Sequence, residues 1–128
     1  MSGSTIFSFL FYGFLLWFAY TRFAPIRGLK NLKADDFKNQ LEGSTNKMLI
    51  DVREPNEYKG GFIPSALNIP LSQIKGRIGE FSKDKEIFLY CRSGMRSKQA
   101  ARILNKNGFS NCAHLQGGIS AWSGKITK

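Results

Sequence analysis

The best-equipped stretch for chemistry in this 128-residue chain is a cysteine with two arginines and a glycine within five residues, Cys91-Arg92-Ser93-Gly94-Met95-Arg96. It follows an apolar, strand-like run, Glu86-Ile87-Phe88-Leu89-Tyr90, and precedes a stretch with helical spacing. A cysteine at the carboxyl end of a strand, in a loop that opens a helix, gains three sources of positive potential. Loop amides can converge as an anion cradle, the helix N-terminus adds partial charge, and Arg92 and Arg96 add formal charge. All three favour the thiolate, which is the nucleophilic form. Gly94 lets the backbone bend tightly. The pattern points to an enzyme acting on sulfur, with Cys91 as nucleophile and Arg92, Ser93, Gly94, Met95 and Arg96 as its binding loop.

Other reactive residue types carry weaker signals. Asp51, Arg53 and Glu57 stand near a strand end, where an ion-pair network bracing the loop opposite Cys91 is the expected role. Cys112 lies in the run Asn111-Cys112-Ala113-His114-Leu115 with no basic neighbour and reads as a small buried side chain. His114, the single histidine, reads as structural. One histidine and two dispersed cysteines give no credible metal site, and no cofactor is expected.

The elements that must position the loop follow from periodicity. Leu32–Glu42 is expected to be helical, with Phe37 and Leu41 four residues apart and Gly43 at its end. Lys47–Val52 reads as a buried strand, Pro55 opens a turn or short helix, and Leu67–Ile69 reads as a short strand. A weak helix holds Leu71, Ile74 and Ile78. The spacing predicts a further helix over 97–107, with Ala100, Ala101, Ile103 and Leu104 on one face and Gly108 closing it. A strand around Ala113–Leu115 and a turn or short helix through Trp122 complete the order. Short strands alternating with helices imply an α/β fold with a mostly parallel central sheet flanked by helices. Active loops in such sheets lie at the carboxyl ends of strands, where Cys91 falls.

The N-terminal segment is of a different kind. Residues 1–21 carry no charged side chain and are mostly apolar. As a helix they would extend about 31 Å, close to a bilayer's hydrocarbon thickness. Trp17 and Tyr20 fall near one end, as interfacial rings do, and the next charges are Arg22, Arg27, Lys30 and Lys33. No basic residue precedes the run and no small-residue cleavage site closes it, unlike a signal peptide. The expected organisation is therefore a single-pass membrane anchor over 1–24, a linker over 25–31 and one domain over 32–128. The positive-inside rule puts that domain in the cytoplasm, at the cell membrane. The net charge of +10 is spread along the domain without the aromatic–basic interleaving of a nucleic-acid platform, so no nucleic-acid partner is expected. A reducing compartment would keep the two cysteines unpaired.

Taken in order, Asp51-Val52-Arg53, Glu57-Tyr58, Gly61-Phe62-Ile63-Pro64, Ala66-Leu67-Asn68-Ile69-Pro70, Cys91 to Ser97 and Leu115-Gln116-Gly117-Gly118-Ile119-Ser120-Ala121-Trp122 resemble single-domain rhodaneses. The resemblance spans about Leu32–Trp122. Phe62 departs from it, since the family commonly has histidine there. The resemblance implies a rhodanese-like fold and a sulfurtransferase. Cys91 would take sulfane sulfur from a small anionic donor such as thiosulfate, forming a persulfide, and pass it to cyanide or a thiol, including a thiol on a protein. Asp51, Arg53 and Ser97 would support the loop. Arg96 would be the better fork for an oxyanion, with Arg92 free to face solvent. Gly117 and Gly118 would allow close backbone packing beside the loop.

Two rivals deserve weighing. Cell-cycle dual-specificity phosphatases share the fold but use a C-x5-R loop. Cys91 to Arg96 is C-x4-R, a tighter ring that suits one sulfur atom better than a phosphate tetrahedron. A non-catalytic interaction module is the other rival, but inactive relatives typically lose the cysteine that this chain keeps.

Overall fold

The apolar run Glu86–Tyr90 forms β4, the central strand of a five-stranded sheet in the order β1-β5-β4-β2-β3, with every pairing parallel. In the computed structural model, which describes residues 3–23, 26 and 28–128, the other strands are β1 (Leu29–Leu32), β2 (Lys47–Asp51), β3 (Leu67–Asn68) and β5 (Cys112–Leu115). Met1, Ser2, Ala24, Pro25 and Arg27, parts of the expected anchor and linker, lie outside the described residues.

Period-two alternation on the strands builds two cores. Ile50 and Val52 from β2 and its end, Ile87 and Leu89 from β4, and Cys112 from β5 face α4 (Leu71–Ile74) and α5 (Met95–Lys106), which supply Ile74, Ala100, Ala101 and Leu104. Leu49, Phe88, Tyr90, Ala113 and Leu115 face the other way, against Phe37 and Leu41 of α2 (Ala34–Gly43). Phe37 meets Phe88 and Trp122 edge-on, at 5.5 and 6.2 Å between ring centroids. Each large side chain sealed in this way contributes about 1.5–3 kcal/mol.

Most element ends fall within a residue or two of the sequence expectation, and two departures bear on the site. Leu29–Leu32, assigned to the linker and the helix start, is the edge strand β1, paired residue for residue with Cys112–Leu115. Its middle residues Lys30 and Asn31 are polar because an edge strand has less to bury, so no apolar run announces it. Helix α5 begins at Met95, two residues early, directly after Gly94 in the left-handed conformation (φ +104°). α3 (Pro55–Lys59) forms where the proline predicts it.

The N-terminal apolar segment is one helix, α1 (Gly3–Phe23), and its span Gly3–Thr21 is long and apolar enough to cross a membrane. None of that span is buried against the rest of the chain.

Candidate active site

The Cys91 side chain is set by the end of β4, and the loop turns at once into α5. The sulfur is buried, with the residue 1% exposed, and accepts a hydrogen bond from the Gly94 amide at 3.0 Å. The amides of Arg92, Ser93, Met95, Arg96 and Ser97 donate to no protein acceptor among the described residues. These five donors, at the N-terminus of α5, are unengaged, as an anion cradle requires. The burial of Cys91 narrows the approach of any reacting atom.

The loop's carbonyl side is clamped by the segment after β5. Ile119 donates its amide to the Cys91 carbonyl at 2.8 Å, and Ser120 donates to the Arg92 carbonyl at 3.2 Å. This close approach requires Gly118, which adopts φ +64° and ψ −164°; a Cβ there would lie 2.3 Å from the Arg92 carbonyl oxygen. The glycine pair thus holds the reactive loop by backbone contact.

The charged residues separate into two pairs. Arg53 grips Asp51 through Nε and Nη2, the shortest contact being 2.7 Å, and also donates to the Gly61 carbonyl. Both are buried, so this pair braces the β2 end. Arg96 places both Nη atoms on the Glu57 carboxylate, at 2.7 and 3.0 Å, tying α3 to the active loop. The Arg96 hydrogen bonds are the main reason the Glu57 carboxyl sits low, at about 2. Arg96 is itself held above the usual arginine value, first by its hydrogen bonds to Glu57. Arg92 is exposed and makes no side-chain hydrogen bond or ion pair among the described residues. Ser93 and Met95 are exposed at the rim.

Ser97, one turn into α5, is fully buried beneath the sulfur. Its Oγ lies 3.6 Å from Cys91 Sγ, 3.1 Å from the Gly94 carbonyl and 3.0 Å from His114 Nδ1. His114 in turn reaches Asn31 Oδ1 at 2.7 Å through Nε2. Sequence reasoning left His114 as structural and Asn31 in a linker. Nothing in spacing joins residues 83 apart; only the parallel register, which sets Asn31 opposite His114, brings them together. Cys112 is buried, its thiol facing the Phe109 carbonyl at 3.9 Å, and burial pushes it up to about 11. Both cysteines are free thiols. Phe62 stacks on Tyr58 at 4.0 Å between ring centroids.

Residues 33–125 match the rhodanese-like domain family. The chain is 42% identical over 117 residues to the uncharacterised protein YqhL of Bacillus subtilis, covering 91% of this chain and 90% of that protein. A sulfurtransferase of Allochromatium vinosum is 36% identical over 95 residues, covering 74% of this chain and 89% of its own length. Among solved structures, a rhodanese-like domain protein from Staphylococcus aureus superposes with a TM-score of 0.70 at 30% identity, covering 77% of this chain and 96% of that one.

Proposed function

The chain belongs to the rhodanese-like family, and from that premise we propose that it moves sulfane sulfur from a small anionic donor to a thiol through a persulfide on Cys91. Sulfur transfer in general is supported by the family and by relatives named as sulfurtransferases. The observation that carries the finer reading is the Cys91 sulfur under the Gly94 amide, in a loop whose other amides are unengaged.

The chemistry proceeds in two displacements. With thiosulfate as donor, the Cys91 thiolate attacks the outer sulfur; the donor's S–S bond breaks and sulfite leaves with the electron pair. The amides stabilise the charge that develops there and then the terminal sulfur of the persulfide. An acceptor thiolate, or cyanide in an assay, next attacks that terminal sulfur and returns Cys91 as thiolate. Exposed Arg92 is the cation that first meets an anionic donor. Arg96 reaches the donor only by opening its pair with Glu57 and otherwise holds the loop in shape. The narrow, C-x4-R ring favours one terminal sulfur atom over a phosphoryl group. Mass spectrometry of the protein after thiosulfate exposure should find one added sulfur on Cys91. Turnover of an aryl phosphate through Cys91, with no added sulfur, would replace this reading with the phosphatase one.

The same proposal places the domain at the cytoplasmic face of the cell membrane, anchored by residues 1–24. Support comes from α1, whose apolar side chains such as Phe7, Leu16 and Trp17 are exposed. Two of its hydroxyls satisfy themselves within the helix, Ser8 on the Ser4 carbonyl and Thr21 on the Phe18 carbonyl. Arg22, Arg27, Lys30 and Lys33 set the orientation. Protease added to intact cells should spare the domain, and lysis should expose it. Digestion from outside would reverse the topology.

A further inference from the structure

His114 is a buried titratable group that the two displacements above leave without a task. Its position is specific. It stands on β5, on the sheet face that also carries Cys112, and is 4% exposed. The Asn31 carbonyl oxygen can only accept a hydrogen bond, so the 2.7 Å contact puts the imidazole proton on Nε2. Nδ1 is then a bare acceptor, 3.0 Å from Ser97 Oγ. The single Ser97 proton has two acceptors, His114 Nδ1 and the Gly94 carbonyl at 3.1 Å. Either choice leaves an oxygen lone pair for the Cys91 S–H, 3.6 Å away.

We propose that His114 is the proton acceptor for Cys91, working through the Ser97 hydroxyl and kept in the required tautomer by Asn31. This rests on the reading of Cys91 as the nucleophile. In the step, the Sγ–H bond breaks and a new Oγ–H bond forms, while the original Oγ–H bond breaks and Nδ1–H forms. The products are a thiolate and an imidazolium, with the serine hydroxyl unchanged between them and now donating to sulfur. No oxidant or second reactant is needed. When the thiol re-forms, the same path runs backward. His114 and Asn31 also line a pocket of about 200 Å³ with Lys98, Gln116 and the Ser93–Gly94 turn, and Cys91 does not line it. The histidine end of the relay therefore borders a solvent-filled pocket.

The groups facing the imidazole set its direction of use. Burial first, and then the charge of Lys98 on α5, hold His114 below the ordinary histidine value, as a neutral base. Asn31 of β1 and Gln116 after β5 are neutral, Leu89 of β4 is apolar, and the Cys91 thiolate is the charge that would stabilise the imidazolium. His114 touches no reacting atom, so it is a positioning residue whose effect passes through Ser97.

The test uses the full chain in detergent micelles, with Cys112→Ala so that alkylation reports Cys91 alone. His114→Asn keeps an acceptor near Nδ1 but cannot hold a proton. Iodoacetamide alkylation at pH 7 should fall about tenfold, while the rate at pH 10, where no base is needed, should match the parent. Ser97→Ala should give the same pattern, and the double variant should lose no more than either single one. Equal alkylation profiles in the parent and His114→Asn would overturn the relay. So would a loss of equal size at every pH, which signals packing alone. If His114→Asn does not melt cooperatively, imidazole nitrogen NMR of the parent decides. Replacing Cys91 with alanine should then shift the ring's protonation to lower pH, and an unmoved titration would sink the relay. Persulfide formation is read separately on the parent, so failure of sulfur transfer and failure of the relay are distinguishable.

Discussion

Cys91 and Cys112 belong to the same buried cluster and are almost equally inaccessible, at 1% and 5% exposure, yet their sulfurs meet opposite hydrogen-bonding partners. Cys112 faces the Phe109 carbonyl, an acceptor that favours the protonated thiol. Cys91 faces the Gly94 amide, a donor that favours the anion, with five further amides unengaged around the loop. The two thiols therefore differ in the polarity of their shortest contact and not in depth. The difference originates in the backbone: β5 continues its ladder past Cys112, whereas β4 ends at Tyr90 and the chain bends through Gly94 at positive φ, bringing the Gly94 amide onto the sulfur.

The largest expected effect comes from breaking the comparison outright. Cys91→Ala should abolish thiocyanate production from thiosulfate and cyanide, with Cys112 unable to substitute because no amide ring surrounds it. Activity that survives Cys91→Ala and disappears with Cys112→Ala would show the nucleophile to be misassigned.

Next in size is the clamp that holds the loop's carbonyls away from the sulfur. Gly118→Ala puts a methyl carbon 2.3 Å from the Arg92 carbonyl oxygen, in a backbone region that L residues avoid. The variant should lose roughly 3 kcal/mol of stability and most of its sulfur transfer. Cys112 should remain as unreactive as before, because it sits at the amino end of β5, away from the loop that Gly118 meets. A melting temperature and activity equal to the parent's would show that the clamp is not needed.

A smaller effect concerns the pair that ties α3 to the loop. Glu57 titrates at about 2 in the folded chain against an ordinary 4.5, so the unfolded state binds its proton first as pH falls. The pair's stabilisation is complete above pH 4.5, declines through the interval and is gone below about pH 2. With its side chains 32% and 25% exposed, it is worth roughly 1–2 kcal/mol after solvent screening. Glu57→Gln should flatten that part of the acid-unfolding curve and lower stability at pH 7 by the same amount. An unchanged acid limb would mean that Arg96 finds another anion.

What the sequence made legible follows the same division between local and distant. The cysteine loop, β4 and α5 could be read because a strand, a turn glycine and a helical face are contiguous. The burial of Cys112 was legible from its strand-like run. The strand β1 was not, because an edge strand with Lys30 and Asn31 at its centre carries no apolar alternation. Glu57 meeting Arg96 across 39 residues, and Asn31 meeting His114 across 83, are products of the sheet order. Residue types alone offered Arg96 as the oxyanion fork; the pairing that occupies it could only come from three dimensions.

The smallest expected effect sharpens the comparison from the other side. Cys112→Ala removes one sulfur atom from a packed site and should cost about 1 kcal/mol, measured by denaturant unfolding. Sulfur transfer should stay within about twofold of the parent, the change expected away from the chemistry. In the parent, Cys112 should resist alkylation at neutral pH until the domain opens, since burial pushes its thiol up to about 11. Its alkylation rate should then follow unfolding with increasing denaturant, while Cys91 reacts in the folded state. Rapid labelling of Cys112 in the native domain would place it in a reactive setting of its own. Equal donor polarity would then have to be sought around both sulfurs, and the contrast drawn from their first contacts would fail.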